Sequence, residues 1–121
     1  DFIKMNCKSV QNGVLYSPNH EFFSFDICIT AKDSIFWADV LDIPKYLDKH
    51  IYSVPVHTKG TFQEVMGVDI RIDSRIPELL GNKKLENNII EGMVIRPNAN
   101  VFLNDQSHSR VILKKKNEEF T

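Results

Sequence analysis

The sequence has 121 residues, 42% of them hydrophobic and 26% charged, with a formal net charge of -1. That length fits one domain with a modest core, and the composition argues against disorder. A chain so close to neutral is not an electrostatic binder of nucleic acid as a whole, so any basic footprint has to be local, and 110–116 is the stretch that offers one.

Cys7 and Cys28 are too few, in too ordinary a context, for a disulfide framework or a zinc site. The first residues have neither the pattern of a signal peptide nor an apolar span of about 20 residues. An intracellular, reduced protein with no membrane attachment is expected, its compartment left open. The sequence begins at Asp1 without an initiator Met, and the expectation is a piece of a longer chain. No repeat or Gly/Pro/Ser-rich linker divides it, so it is read as one unit.

Residues 1–10 carry no signal. Val14 to Tyr16 reads as a short strand after Asn12-Gly13, and Ser17-Pro-Asn-His20 as a turn leading into a strand over Glu21 to Thr30, which predicts a hairpin. On that strand Phe23, Phe25, Ile27 and Ile29 would line one apolar face, while Asp26 would fall on a mixed one. A carboxylate placed there needs a partner, because burying it unpaired costs several kcal/mol. A structural hydrogen bond and a functional role both satisfy that requirement.

Ala31 to Ser34 is a turn before a short strand, Ile35 to Trp37, and Asp42 is an N-cap candidate for a helix to about Lys49 with Pro44 in its first turn and Leu47 under Ile43. Ile51 to His57 is strand-like. His57 has no Cys, His or carboxylate at ligand spacing, which favours a structural histidine. Thr61-Phe-Gln-Glu64 is a capping box opening a helix to about Val68, and Ser74 to Leu80 is a helical turn capped by Ser74 and ended by Gly81. After a polar loop to Asn88, a strand over Ile89 to Arg96, a long polar connection over Pro97 to Ser109 and a last strand over Val111 to Asn117 complete the chain. About six strands and three short helices in hairpin-type spacing predict an α+β fold with an antiparallel sheet and short flanking helices.

The last two strands carry the chemistry. Along the final one, alternation puts Arg110, Ile112, Lys114 and Lys116 on one face and Val111, Leu113 and Lys115 on the other. Two ammonium groups ~7 Å apart on one face favour an anion between them, phosphate above all. A solvated lysine run protecting an edge strand is the competing reading.

Four motifs decide between them. Glu91-Gly-Met-Val-Ile-Arg96 is similar to motif IV of the covalent nucleotidyltransferases, the ligases and capping enzymes. Leu113-Lys-Lys-Lys-Asn-Glu-Glu-Phe120 resembles motif V of RNA ligase 2-type (RNA-editing-ligase-like) enzymes, Glu21-Phe-Phe-Ser-Phe-Asp-Ile27 resembles their motif III, and Tyr52-Ser-Val-Pro-Val-His-Thr-Lys-Gly-Thr-Phe62 their segment IIIa. The order and spacing match across residues 10–120. The resemblance implies part of a ligase/capping-enzyme nucleotidyltransferase domain, with antiparallel sheets flanked by helices and a nucleotide in the groove between them.

It also implies an ATP-dependent RNA ligase using Mg2+. In that chemistry a lysine attacks the α-phosphate of ATP, AMP passes to an RNA 5′-phosphate, and a 3′-hydroxyl displaces the AMP. Positioning and charge neutralisation are then the protein's work. By resemblance, Phe25 stacks on adenine, Val94 covers the base and Arg96 sits near the nucleotide. Asp26 orients ribose or a metal-bound water, Glu91 is the carboxylate near the metal, and Lys114 and Lys116 contact the AMP phosphate. Lys115, facing away, is expected to be dispensable. The implied partner is RNA with 3′-hydroxyl and 5′-phosphate ends, as in a nicked duplex.

Two points stand against a complete assignment. Phe25 and Asp26 are adjacent on one strand, as Glu91 is out of phase with Val94 and Arg96 on another, so flat strands cannot aim all of them into one pocket. The family's nucleophile motif, Lys-x-x-Gly, is missing, as no lysine here is followed three residues later by glycine. The expectation is therefore the C-terminal half of an adenylation domain, inactive by itself and prone to self-association through uncovered apolar faces. A DNA ligase or capping guanylyltransferase fragment, or a non-catalytic nucleotide- or RNA-binding module, is the alternative.

Overall fold

The computed structural model describes residues 13–104, 106 and 109–120; Cys7 and the uninformative first ten residues lie outside them. The fold is α+β, with six short strands and three short helices among the described residues. The strands form three two-stranded sheets in place of the single antiparallel sheet expected. Contacts divide the chain into two compact units, one of Phe22–Val65 with Ile95–Leu113, the other of Asp1–Glu21, Met66–Val94 and Lys114–Thr121.

In the Phe22–Val65 unit the expected strand over 21–30 is broken into β1 (Phe23–Ser24) and β2 (Cys28–Ala31). The break has a local signature. Asp26 Oδ1 accepts from the Ile27 N–H at 3.1 Å, and the Ser24 hydroxyl donates to the Asp26 carbonyl at 3.5 Å. Side chains that bond their own backbone in this way compete with a sheet ladder. β1 consequently pairs with β4 (Tyr52–Ser53), and in parallel, with Phe23 opposite Tyr52 and their rings stacked at 5.2 Å. A parallel pair requires a crossover of a dozen residues or more, and the segment between them supplies it.

β2 turns through Lys32 and Asp33 into β3 (Ser34–Trp37), antiparallel with Cys28 opposite Trp37, as the turn residues predict. The following helix is shorter than expected. A 3-10 turn over Val40–Asp42 leads into α1 (Ile43–Tyr46), which stops before Lys49. Asp42 does not cap it; its carboxylate takes the Lys45 ammonium at 2.8 Å, and Asp48 turns the chain by accepting from the His50 N–H. Of the strand-like stretch 51–57 only Tyr52–Ser53 joins a ladder. At α2 (Phe62–Met66) the Thr61 hydroxyl accepts from the Glu64 N–H at 3.3 Å, the forward half of the capping box. Ala38 and Ile43 are the buried apolar side chains of this unit.

The other unit is held by buried asparagines. Of the expected strand 14–16 only Val14 makes a β-bridge. Next to it Asn88 both accepts from the Leu15 N–H (2.7 Å) and donates to the Leu15 carbonyl (2.6 Å), as a strand neighbour would. Ser74 Oγ accepts from the Ile76 N–H at the start of α3 (Ile76–Leu79), and Gly81, at φ 78°, ends it, both as read from the sequence. β5 (Gly92–Ile95) pairs with β6 (Leu113–Lys116), all but Ile95 and Leu113 lying in this unit. Just past β6, Asn117 Nδ2 donates to the carbonyls of Ile70 and Ile90, both at 2.9 Å, and its own N–H reaches Glu91 O at 2.8 Å. Val14, Ile70 and Pro77 form the apolar centre.

Asn117 is 7% exposed, so truncating it leaves two carbonyls without a donor. Asn117→Ala is expected to cost about 2–3 kcal/mol, read as a lower urea midpoint at unchanged slope. A loss below about 0.5 kcal/mol would show that water replaces the amide.

Candidate active-site residues

In the Phe22–Val65 unit the side chains of Asp26, Arg96, Asn100 and Arg110 close a ring. Arg110 Nη2 donates to Asp26 Oδ2 at 2.6 Å and Arg110 Nη1 to Asn100 Oδ1 at 3.2 Å. Arg96 Nη2 donates to the same Asn100 oxygen at 3.1 Å and to Asp26 Oδ1 at 3.4 Å. Both oxygens of Asp26 are thus engaged. Asn100 is anchored in turn, its Nδ2 donating to the carbonyls of Trp37 and Ala38 at 3.2 and 3.1 Å. The guanidinium of Arg110 lies 3.7 Å from the centre of the Trp37 ring, a cation–π contact.

The Asp26 and Arg110 side chains are 10% and 15% exposed, so this pair is largely withdrawn from water. Burial pushes the Asp26 carboxyl up, but the Arg110 hydrogen bond and the charges of Arg96 and Arg110 outweigh it and hold its pKa below the ordinary carboxylate value. The partner that the sequence demanded for Asp26 is present twice over.

The opposite setting of Phe25 and Asp26 persists across the broken strand. Neither residue is in a ladder, and Asp26 turns in to the arginines while Phe25 is 72% exposed. Leaving an aromatic ring in water forgoes about 1.5–3 kcal/mol of burial. Phe23, two residues back and stacked on Tyr52, makes the contrast.

The other unit brings Glu91 and Lys116 together, Lys116 Nζ 3.2 Å from Glu91 Oε1 with both side chains about one-third exposed (31% and 38%). Lys116 therefore balances a carboxylate, where the sequence placed an anion between it and Lys114. Lys114 is exposed, as is Val94 at 56%. Burial, and then the charge of Glu91, raise the pKa of Tyr16, which marks the phenol as a neutral neighbour of that carboxylate. Gly92 explains the Glu-Gly pairing in the motif: a Cβ there would meet Lys115 O at 2.2 Å and Lys116 Cα at 2.8 Å, so only glycine lets the two strands approach.

One sequence expectation is corrected. Arg110 does not continue the lysine face, because β6 starts at Leu113; Arg110 instead bridges to Phe102, and its side chain enters the Asp26 ring. Lys115 does face away from Lys114 and Lys116, but its Nζ donates to the carbonyls of Met66 and Val68 at 3.0 and 2.8 Å, a structural task. His57 is exposed beside the Thr58 hydroxyl, and among the described residues no three His, Cys, Asp or Glu side chains gather as a metal cluster. Pattern does not single out Arg110, Asn100, Asn88 and Asn117 as site or core residues. A buried asparagine gives no periodic signal, and Arg110 reads as part of the basic run.

The RNA ligase family model matches residues 7–116, and the chain belongs to that family. No curated protein sequence matches the chain.

The depressed Asp26 pKa fixes a pH dependence. Its ring contributes stability above the unfolded carboxylate value of about 3.9, and that contribution is lost as pH falls through the lower folded value. Asp26→Asn is expected to cost about 2–3 kcal/mol at pH 7, since it leaves two guanidiniums without a counter-charge, and to lose less stability than the parent on acidification, as urea melts from pH 7 to 2 would record. In a pair of variants, Lys115→Ala should lower stability by about 1–2 kcal/mol, whereas Lys116→Ala, at an exposed pair, should change it by less than about 1 kcal/mol. Equal losses would refute the opposite facing of the two lysines.

Proposed function

We propose that the chain carries the motif III to V part of the adenylation domain of an ATP-dependent RNA ligase of the RNA ligase 2 type. The whole enzyme would seal RNA 3′-hydroxyl and 5′-phosphate ends in a nicked duplex. The observation that carries this reading is the family match over 7–116 coupled to the Glu91, Gly92 and Lys116 arrangement, in which motif IV packs against motif V. The absence of a Lys-x-x-Gly supports a nucleophile supplied from outside these residues. A nucleotide-binding module without catalysis is the second reading, which the same absence fits equally.

Each residue does what its setting allows. Phe25, held out in water, offers a face for stacking a base, and exposed Val94 an apolar contact for one. Lys114 and Lys116 offer phosphate-binding ammonium groups, and their charge beside an incoming lysine amine would lower its pKa and favour the free base. Mg2+ is usually held by one or two carboxylates together with substrate phosphates. Glu91, about one-third exposed, fits that role, whereas Asp26 has both oxygens committed to arginines and is assigned a structural part. When bound, Mg2+ would neutralise charge growing on the phosphate oxygens.

The chain incubated with labelled ATP and Mg2+ is expected to bind nucleotide without gaining the mass of a covalent AMP. Joined to a segment bearing Lys-x-x-Gly, it should seal a nicked RNA duplex, with Glu91→Ala, Lys114→Ala and Lys116→Ala each losing about 10²–10³ in rate. Sealing unaffected by Lys116→Ala, or an AMP adduct on the chain alone, would sink the assignment.

A further inference from the structure

We propose that Arg110 is the positioning residue that presents Phe25, acting through Asp26 and steadied by Asn100; this rests on Phe25 being the base-stacking residue. The pattern of 21–30 suits an uninterrupted strand, with Phe23, Phe25, Ile27 and Ile29 as one apolar set. The chain instead breaks at 25–27, and what marks the break is the Asp26 carboxylate turned inward and bonded to the Ile27 N–H. Something has to hold that carboxylate in place against the burial of Phe25.

Arg110 is the group placed to do so. Its 2.6 Å bond to Oδ2 is the short contact in the ring, while Arg96 reaches Oδ1 at 3.4 Å, beyond good hydrogen-bond geometry. Arg110 is itself fixed from three sides: by Asn100 Oδ1 at 3.2 Å, by the Trp37 ring at 3.7 Å, and by the backbone bridge to Phe102. Asn100 reports back to the end of β3, donating to Trp37 O and Ala38 O, and the Ala38 N–H returns to Ile27 O at 2.9 Å. The loop of bonds therefore runs from Arg110 through Asp26 and Ile27 to Ala38, Asn100 and back. With Arg110 removed, Oδ2 loses its donor and the break loses its clamp, freeing the apolar set to realign and draw in Phe25. A lysine cannot replace it, because a single ammonium does not span the carboxylate and the amide as a planar fork does.

The test is equilibrium dialysis of labelled ATP with the 121-residue chain and its Phe25→Leu, Arg110→Met, Arg110→Lys and doubly substituted Phe25→Leu/Arg110→Met forms. Phe25→Leu is expected to weaken binding roughly tenfold, Arg110→Met and Arg110→Lys by a similar factor, and the double variant no further than either change alone. Amide hydrogen exchange supplies a second measure. The Ile27 N–H should exchange faster in Arg110→Met but not in Asn117→Ala, whose stability loss lies in the other unit. Should Arg110→Met fail to fold, Asn100→Ala, which removes one of the Arg110 acceptors, is expected to reproduce its effects more weakly. ATP affinity lost in Phe25→Leu but kept in Arg110→Met, or losses that add in the double variant, would overturn the positioning role while leaving Phe25 as the stacking residue. Absence of ATP binding by the parent chain would overturn the nucleotide reading and this proposal together.

Discussion

One carboxylate shared by two guanidiniums governs the Phe22–Val65 unit. Asp26 sits in a stretch whose side-chain alternation calls for a single strand, yet its buried charge has to meet the arginines that neutralise it. The chain satisfies the charge and gives up the ladder. From that choice follow the splitting into β1 and β2, the freeing of β1 to pair in parallel with β4, and the outward setting of Phe25. A buried ion left unpaired costs more than the few ladder bonds given up at 25–27, which is why the electrostatic demand wins.

The other unit answers a different shortage. Its strands are four residues long, too short to satisfy the backbone around them, and side-chain amides complete the pairing. Asn88 stands in for a neighbouring strand at Leu15, and Asn117 ties Ile70 to Ile90 just where β6 ends. Lys115 caps two more carbonyls with its ammonium. Three polar side chains thus do what longer strands would do, while Gly92 lets β5 and β6 lie close where Glu91 and Lys116 meet.

The legible parts of the sequence were those in which the signal is local. The Lys32-Asp33 turn, the Thr61 half of the capping box, the Ser74 cap and the left-handed Gly81 all lie within a few residues of what they control, and all are found. The family, too, was legible, because its motifs are short and ordered. Strand limits were not. Alternation over 21–30 and 110–117 describes side-chain faces without revealing that Asp26 would bond its own backbone or that Arg110 would leave for a partner 84 positions earlier. The need for a partner at Asp26 could be read from its surroundings, but the partner's identity depends on tertiary structure alone.

Trp37 gives the ring of polar side chains an optical consequence. It is the single tryptophan of the sequence, and the Arg110 guanidinium rests 3.7 Å from its ring centre. Indole emission shifts when a cation moves over the ring face, so the tryptophan emission of this chain comes from one chromophore in direct contact with the group that anchors Asp26. The chain carries a built-in spectroscopic probe of its own charge ring, and no label has to be introduced to follow that ring's opening.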